Sequence, residues 1–407
     1  MNSDRRVAMP NGTVRSSSRG RILDYHVGRL LLWVLGCIRR RKDRPPVKVQ
    51  TIGICVFGAI GDALLSSSII GDLKRRYPGA RVIMVVTESN GGIIPLLPLS
   101  DGSLVLPIYA PRQAFGLMRR QQFDLLIDAN QWLRISAVYC ALAGAKYTVG
   151  FRTVGQYRHY AFDLTAEHSA THHELENYRR LLTAIGIAGT SSARIDPPRA
   201  DAVVSRLTRS PYIVLHPWAG GGRAELKEWP SGYWIEIGKV MSARGFALVV
   251  TGSSGDVSKA RDLVEAANES GVPMILLAGR LNLGQTAALL QHASLVVSVN
   301  TGIMHMAAAL DVSLVVLHGP TNPDRWGPLS DKAVSVVPGP VPAGVPVGYL
   351  NLGFEFPKDV PDCMGFIAVE HVLAAIDTAL AKRGESVDRP RPGVLWDGPR
   401  ALSGSVG

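Results

Sequence analysis

Apolar and polar positions set two regimes along the chain. Leu30 to Ile38 form one short unbroken apolar run, with Arg29 before it and Arg39-Arg40-Arg41-Lys42 after it. From residue 47, apolar runs of strand length alternate with stretches of helical period. Runs at 49–57, 81–87 and 123–128 predict strands buried on both faces, as in a parallel sheet. Helical stretches follow at 63–77, stopped by Pro78-Gly79, and from the third strand through residue 143. A further helix is expected at 173–187, closed by Gly186 and Gly189. The polar, proline-containing stretch 191–200 then breaks the pattern and reads as an interdomain linker. Beyond it the alternation restarts, with strands at 212–216, 246–251, 274–277, 295–299 and 314–318. Helices at 234–244, 256–269, 283–292 and 305–310 lie between them, and a late helix at 369–382. Strands separated by helices mean βαβ units and parallel sheets, here in two doubly wound α/β halves. Ligands of such sheets sit outside the carboxyl ends of the strands.

Length agrees with two domains, since 407 residues exceed one average domain. Hydrophobic residues at 46% and charged residues at 19% fit a globular enzyme. Cys37, Cys55, Cys140 and Cys363 have neither zinc-ligand nor redox spacing, and read as buried small hydrophobes in a reducing cytoplasm. The net charge of +11 is localised: residues 1–44 hold eleven Arg/Lys and three Asp, a net of +8 that leaves +3 for the rest. A nearly balanced body argues against nucleic-acid binding. The expected organisation is a basic arm at 1–44, disordered over 1–20, then domains at 45–195 and 196–384 and a flexible tail at 385–407. Nine apolar residues cannot span a bilayer, which needs roughly 20. Arg39 to Lys42 stand where a signal peptide would need small residues. The segment can lie in a membrane interface, with Trp33 at headgroup depth and the cations over anionic lipid. The competing expectation is a helix packed on the body. The interface is preferred, because a packed helix has little use for four consecutive cations.

Three loops at strand ends carry candidate chemistry. Gly58-Ala59-Ile60-Gly61-Asp62 is a tight turn whose glycines, Gly58 and Gly61, let backbone N–H groups approach a ligand. Its GxxG spacing is not the dinucleotide fingerprint, which sets a nicotinamide-dependent oxidoreductase aside. Asp62, taken alone, reads more readily as a helix cap than as a catalytic group. Gly220-Gly221-Gly222 with Arg223 and Lys227 could hold a diphosphate. Asn300-Thr301-Gly302-Ile303-Met304-His305 offers helix-start amides and a hydroxyl to an anion, with His318 at the end of the next strand. No acidic pair or histidine cluster lies near these loops, so no metal site and no cofactor is expected.

Together these segments resemble glycosyltransferase family 9, the ADP-heptose:lipopolysaccharide heptosyltransferase family. The resemblance runs from about residue 47 to 380. It rests on Gly58 to Asp62, His173-Glu174-Leu175-Glu176-Asn177, His216-Pro217 with Lys227-Glu228-Trp229-Pro230, Asn300 to His305, and Gly319-Pro320-Thr321-Asn322-Pro323 leading to Trp326-Gly327-Pro328. One position departs: the family commonly has Asp where Asn300 stands, so hydrogen bonding is kept and a charge is lost. The resemblance implies a GT-B fold of two facing Rossmann-like domains, with the donor in the C-terminal domain and the acceptor facing the N-terminal one. It also implies that helix 369–382 packs back near the first domain.

The implied reaction is an inverting transfer of a heptose or similar sugar from a nucleotide-sugar co-substrate, ADP-heptose in the family, to lipopolysaccharide or another surface glycan. Asp62 takes the acceptor proton. Gly221, Gly222, Lys227, Asp256, Asn300, Thr301, Gly302 and His305 form the donor side, and Gly58 and Gly61 flank the acceptor. The partners are the donor, a glycolipid or glycan acceptor and the inner membrane surface through the arm, with the enzyme peripheral on the cytoplasmic face. Two other readings stand beside this one: a catalytically inactive nucleotide-sugar-binding partner in a polysaccharide assembly complex, and a GT-B-like nucleotide-sugar epimerase.

Overall fold

The computed structural model describes residues 24–199, 205, 211–221, 223–351 and 361–382. The expected disorder of residues 1–20, the role of Gly222, the last linker residue Ala200 and the tail 385–407 fall outside the described residues.

Twelve strands form two separate parallel sheets of six. The first contains β1 (Thr51–Cys55), β2 (Arg81–Val86), β3 (Gly102–Val105), β4 (Leu125–Asp128), β5 (Tyr147–Arg152) and β6 (Leu164–Glu167). Its spatial order is β3-β2-β1-β4-β5-β6. The second contains β7 (Tyr212–His216), β8 (Ala247–Val250), β9 (Met274–Leu276), β10 (Leu295–Val299), β11 (Leu314–Leu317) and β12 (Ala333–Val336). Its order, β12-β11-β10-β7-β8-β9, is the same arrangement read from the other edge. Both are the doubly wound order in which strand direction of travel reverses between the first and fourth strands. That places a switch point between β1 and β4 in one sheet and between β7 and β10 in the other.

The central strands are the continuous apolar runs, because helices cover both of their faces. β1 pairs Ile54 with Met84 on one side and Ile127 on the other, and Ile54 is fully buried. β3 alternates half-buried and exposed residues at an edge, which is why no apolar run marks it. β5, β6 and β12 were likewise not expected, nor was the helix Pro111–Arg120. The helix expected over 63–77 is two helices, Ile60–Ser66 and Ile69–Arg76. The break falls at Ser66-Ser67-Ser68, where Ser66 Oγ donates to the Ala63 carbonyl at 3.1 Å and Ser67 Oγ to Leu64 at 2.6 Å. Serine hydroxyls compete in this way with the backbone ladder. The helix Val369–Lys382 is where expected, but it corrects the packing that the resemblance implied. Val372 and Ile376 are buried in the core of the second sheet, beside β11 and β12.

The arm forms the helix Arg29–Ile38 and docks on the first domain. Leu32 and Leu35 are buried, whereas Leu30 and Trp33 are each 60% exposed and Ile38 is 71% exposed. The flanking cations have a use after all. Arg39 pairs with Asp163 at 2.9 Å and donates to Thr148 Oγ1 at 2.8 Å, and the Lys42 amide donates to Asp163 at 3.1 Å. The preference against a packed helix is therefore corrected: one face is packed and the other stays apolar and exposed. No helix among the described residues is long and apolar enough to cross a membrane.

Candidate active site

At the first switch point, the loops after β1 and β4 wall a small cavity. Gly58 and Asp62 come from one loop, Asn130 and Trp132 from the other, and Tyr178 closes it from the helix Glu174–Ala184. Asp62 sits in the first turn of Ile60–Ser66, and its Oδ2 accepts the Ala59 amide at 2.7 Å. It is thus a cap, as its position suggested, and its carboxyl group also lines the cavity. Gly58 is required for this: a Cβ there would lie 2.3 Å from Asp62 Oδ2.

A buried ionic frame supports the loop from β4. Arg158 Nη2 donates to Asp128 Oδ2 at 2.6 Å, with both side chains fully buried. Asn130 Nδ2 donates to the other Asp128 oxygen at 2.6 Å, and Asn130 Oδ1 accepts the Phe57 amide at 2.7 Å. The ends of β1 and β4 are thereby tied together just behind Asp62. Buried charges of this kind persist only when paired and hydrogen-bonded.

At the second switch point, the loop after β7 holds Gly221 at φ 92° and Arg223 at φ 53°, both left-handed. It ends in the turn Ala224–Lys227, which leaves Lys227 half-buried. Trp229 anchors the loop, donating its Nε1–H to the Ile367 carbonyl at 2.9 Å. Asp256, half-buried after β8, heads the helix Val257–Glu269 and accepts from the Ser253 amide and hydroxyl at 2.8 and 2.6 Å. After β10, Thr301 caps the helix Gly302–Ala309, its Oγ1 accepting the Ile303 amide at 3.2 Å.

Asn300 Nδ2 donates to the Trp326 carbonyl at 2.9 Å and meets His318 Nδ1 at 3.2 Å. Burial holds the His318 pKa down at about 4, so this imidazole is neutral and can accept. An aspartate at position 300 could donate to neither group, which gives the asparagine a structural reason. Burial also lowers His216 to about 4 and His305 to about 3, the latter helped by nearby His173 and His318. Among the described residues, no group of three His, Cys, Asp or Glu side chains could hold a metal ion.

The two switch points meet. A Cβ on Gly61 would lie 3.0 Å from His305 Cδ2, and one on Gly302 would lie 3.2 Å from the Gly61 nitrogen. The helix starts that carry Asp62 and Thr301 therefore abut across the domain boundary, and only glycines allow the approach. A buried ion pair beside them links the domains. Arg325 Nη2 donates to Glu174 Oε2 at 2.7 Å, with both side chains inaccessible, and Arg325 Nη1 donates to the His172 carbonyl at 2.8 Å. Burial would raise the Glu174 pKa, but hydrogen bonds and charge from His168 and Arg325 outweigh it and the pKa is lowered. His173 Nδ1 accepts the Leu175 amide at 3.1 Å, so its Nε2–H faces the Gly327 carbonyl at 3.0 Å. The segments His173 to Asn177 and Gly319 to Pro328 were noted in the sequence only for the resemblance; here they hold each other. Asp128, Asn130, Arg158 and Arg325 were not singled out, because the partners that set their roles lie far away in the chain: Arg158 for Asp128, Phe57 for Asn130 and Glu174 for Arg325.

The sequence profile of Glycosyltransferase family 9 (heptosyltransferase) matches residues 113–342, more than half of the chain. A lipooligosaccharide heptosyltransferase 2 of Haemophilus influenzae is 24% identical over 300 residues, covering 68% of this chain and 85% of the relative. Among solved structures, the ADP-heptose LPS heptosyltransferase II of E. coli superposes with a TM-score of 0.65 at 20% identity, over 83% of this chain and all (100%) of that one. A family 9 glycosyl transferase from Veillonella parvula gives 0.68 at 17% identity, over 83% of this chain and 99% of that one. The chain belongs to glycosyltransferase family 9. It is a glycosyltransferase of GT-B fold, as the resemblance implied.

Proposed function

We propose that the chain is an inverting glycosyltransferase that moves a heptose or similar sugar from a nucleotide-sugar donor to lipopolysaccharide or a related surface glycan. ADP-heptose is the first donor to test, since the E. coli relative is described by that donor. The observation that carries the reading is the contact of Gly61, next to Asp62, with Gly302 and His305 across the domain boundary. It joins a carboxylate-bearing loop to a helix start that suits an anion.

In this reading the acceptor hydroxyl loses its proton to Asp62 while its oxygen attacks the anomeric carbon. The bond from that carbon to the diphosphate oxygen breaks, and its electron pair leaves with the nucleoside diphosphate. Lys227, the Thr301 hydroxyl and the Gly302 helix start stabilise the developing charge. Gly221 and Gly222 give the diphosphate access to backbone amides, Asp256 faces the nucleoside, and Asn300 and His305 shape the donor wall. Gly58 and Gly61 flank the acceptor. The acceptor-side domain is taken as 45–195 and the donor-side domain as 196–384. The exposed face of the arm helix, with Leu30, Trp33 and Ile38, suits the interface of the cytoplasmic membrane and would hold the enzyme peripherally near a lipid-linked acceptor. The retained Asp62 and Lys227 favour transfer over an inactive binding partner, and the apolar arm favours it over an epimerase.

The test is transfer from ADP-heptose to a lipopolysaccharide acceptor, with the anomeric configuration of the product read by NMR. Configuration opposite to the donor is expected. Retention of configuration, or epimerised donor without transfer, would overturn the reading.

A further inference from the structure

A cavity lies outside the machinery above, between the arm helix and the segment after β5. It measures about 340 Å³ and is walled by Tyr25, Trp33, Tyr157 and Tyr160, with Arg29 and His26 as its charged or ionisable groups. That volume is within the range of small-ligand sites, about 300–1,000 Å³. We infer that this cavity binds a phosphorylated sugar unit of the acceptor glycan.

Five observations support this assignment, which rests on the reading that the first domain faces the acceptor. The lining pairs aromatic rings, which take the C–H faces of a pyranose, with a guanidinium, which takes a phosphate or carboxylate in a fork. None of the lining residues is acidic. Arg29 is already oriented: its guanidinium lies 4.7 Å above the Tyr157 ring, and its Nη2 meets the Tyr157 hydroxyl at 3.3 Å. Tyr157 itself is held at φ 58°, a left-handed conformation that a bulky side chain rarely adopts and that is enriched at binding sites. The cavity is also placed on the acceptor side. Asp24 ties the start of the arm to the segment after β4, accepting the Ile135 amide at 2.8 Å and pairing with Arg134 at 3.4 Å. The adjoining Leu133 lines the Asp62 cavity. The two cavities thus lie along the same carboxyl edge of the first sheet, joined through residues 133–135, so one glycan could occupy both. The arm then has a second duty, reading the charge of the acceptor.

The test uses the full chain and the water-soluble phosphorylated oligosaccharide released by deacylating lipopolysaccharide, titrated by calorimetry. The same oligosaccharide after phosphatase treatment and vesicles of phosphatidylglycerol are the comparison probes, and ADP reports the donor side independently. Saturable binding is expected, weakened at least tenfold by Arg29→Ala, by Trp33→Ala and by phosphate removal, with Arg29→Lys in between and ADP affinity unchanged. Melting temperatures check each fold, and Trp33, at 60% exposure, is a position where truncation leaves the core intact. Oligosaccharide binding that the variants leave unchanged, or no binding by the wild type, overturns the inference. So does a loss confined to the vesicles, which would give the cavity to lipid headgroups. Loss of ADP binding by every form, with oligosaccharide binding still following Arg29, would sink the donor reading and uphold this one.

Discussion

The carboxyl edges of the two sheets share a strand order and differ in nearly everything else. The first edge is framed by buried charge: Asp128, Arg158 and Asn130 lock the ends of β1 and β4 behind Asp62. The second carries neutral imidazoles, a half-buried lysine and a loop turned through left-handed residues. One topology can therefore hold a single carboxylate rigidly on one side and offer amides and a cation to an anion on the other. A displacement reaction needs both, since proton removal demands fixed geometry and a departing diphosphate demands positive potential.

The strongest way to break this comparison is to remove the frame. Arg158→Ala leaves Asp128 buried and unpaired, and should cost about 3–5 kcal/mol in denaturant unfolding. A loss below about 1 kcal/mol, the worth of an ordinary surface pair, would show that the frame is dispensable. On the other edge, Lys227→Ala should barely change stability but weaken nucleotide-sugar binding by about 1.5–3 kcal/mol, the value of a hydrogen bond to a charged group. Equal donor affinity in calorimetry would remove Lys227 from the donor side.

The neutral histidines sharpen the contrast through pH. His216, His305 and His318 are held near 4, 3 and 4, below the ordinary 6.5, so the unfolded chain takes up these protons first. Their contribution to stability is complete above pH 6.5 and is lost as pH falls towards the folded values. Each contributes about 1.4 kcal/mol per pH unit within that window. Thermal unfolding at a series of pH values should show this slope, and His305→Asn should make it shallower; an unaltered slope would mean that His305 is not held neutral. The smallest effect belongs to the contact itself. Gly61→Ala adds a methyl 3.0 Å from His305 Cδ2. It should cost about 1 kcal/mol, the low end for overpacking, with a loss of turnover larger than the loss of donor affinity. Unchanged turnover would mean that the two helix starts need not approach.

Most of this architecture was legible because the central strands are continuous apolar runs bounded by glycine and proline. The edge strands β3 and β6 were not, since β3 alternates half-buried and exposed residues and only Ala166 of β6 is buried, leaving no run to detect. The break at Ser66 to Ser68 escaped the helical period, because side-chain competition with the backbone does not alter apolar spacing. Asp62, Lys227 and the Asn300 loop were visible as polar groups at strand ends. The groups that hold them were not: Asp128 and Arg158 are 30 residues apart, and Glu174 and Arg325 are 151 apart. Pairs of that kind are created by the fold. The arm was legible as an apolar segment, but its docking depends on the Arg39–Asp163 pair, 124 residues apart, and on the burial of Leu32, which no local pattern announces.

The central claim is that Asp62 is the general base, held in place by its capping bond to Ala59. Asp62→Asn retains an oxygen for the Ala59 amide and nearly the same volume, so melting temperature and ADP affinity should remain close to wild type. The amide cannot accept the acceptor proton, so turnover should fall by about 10²–10⁴. Measured on a single preparation, that drop with intact folding and donor binding supports the account. Turnover near the wild-type rate would leave Asp62 a helix cap and contradict it.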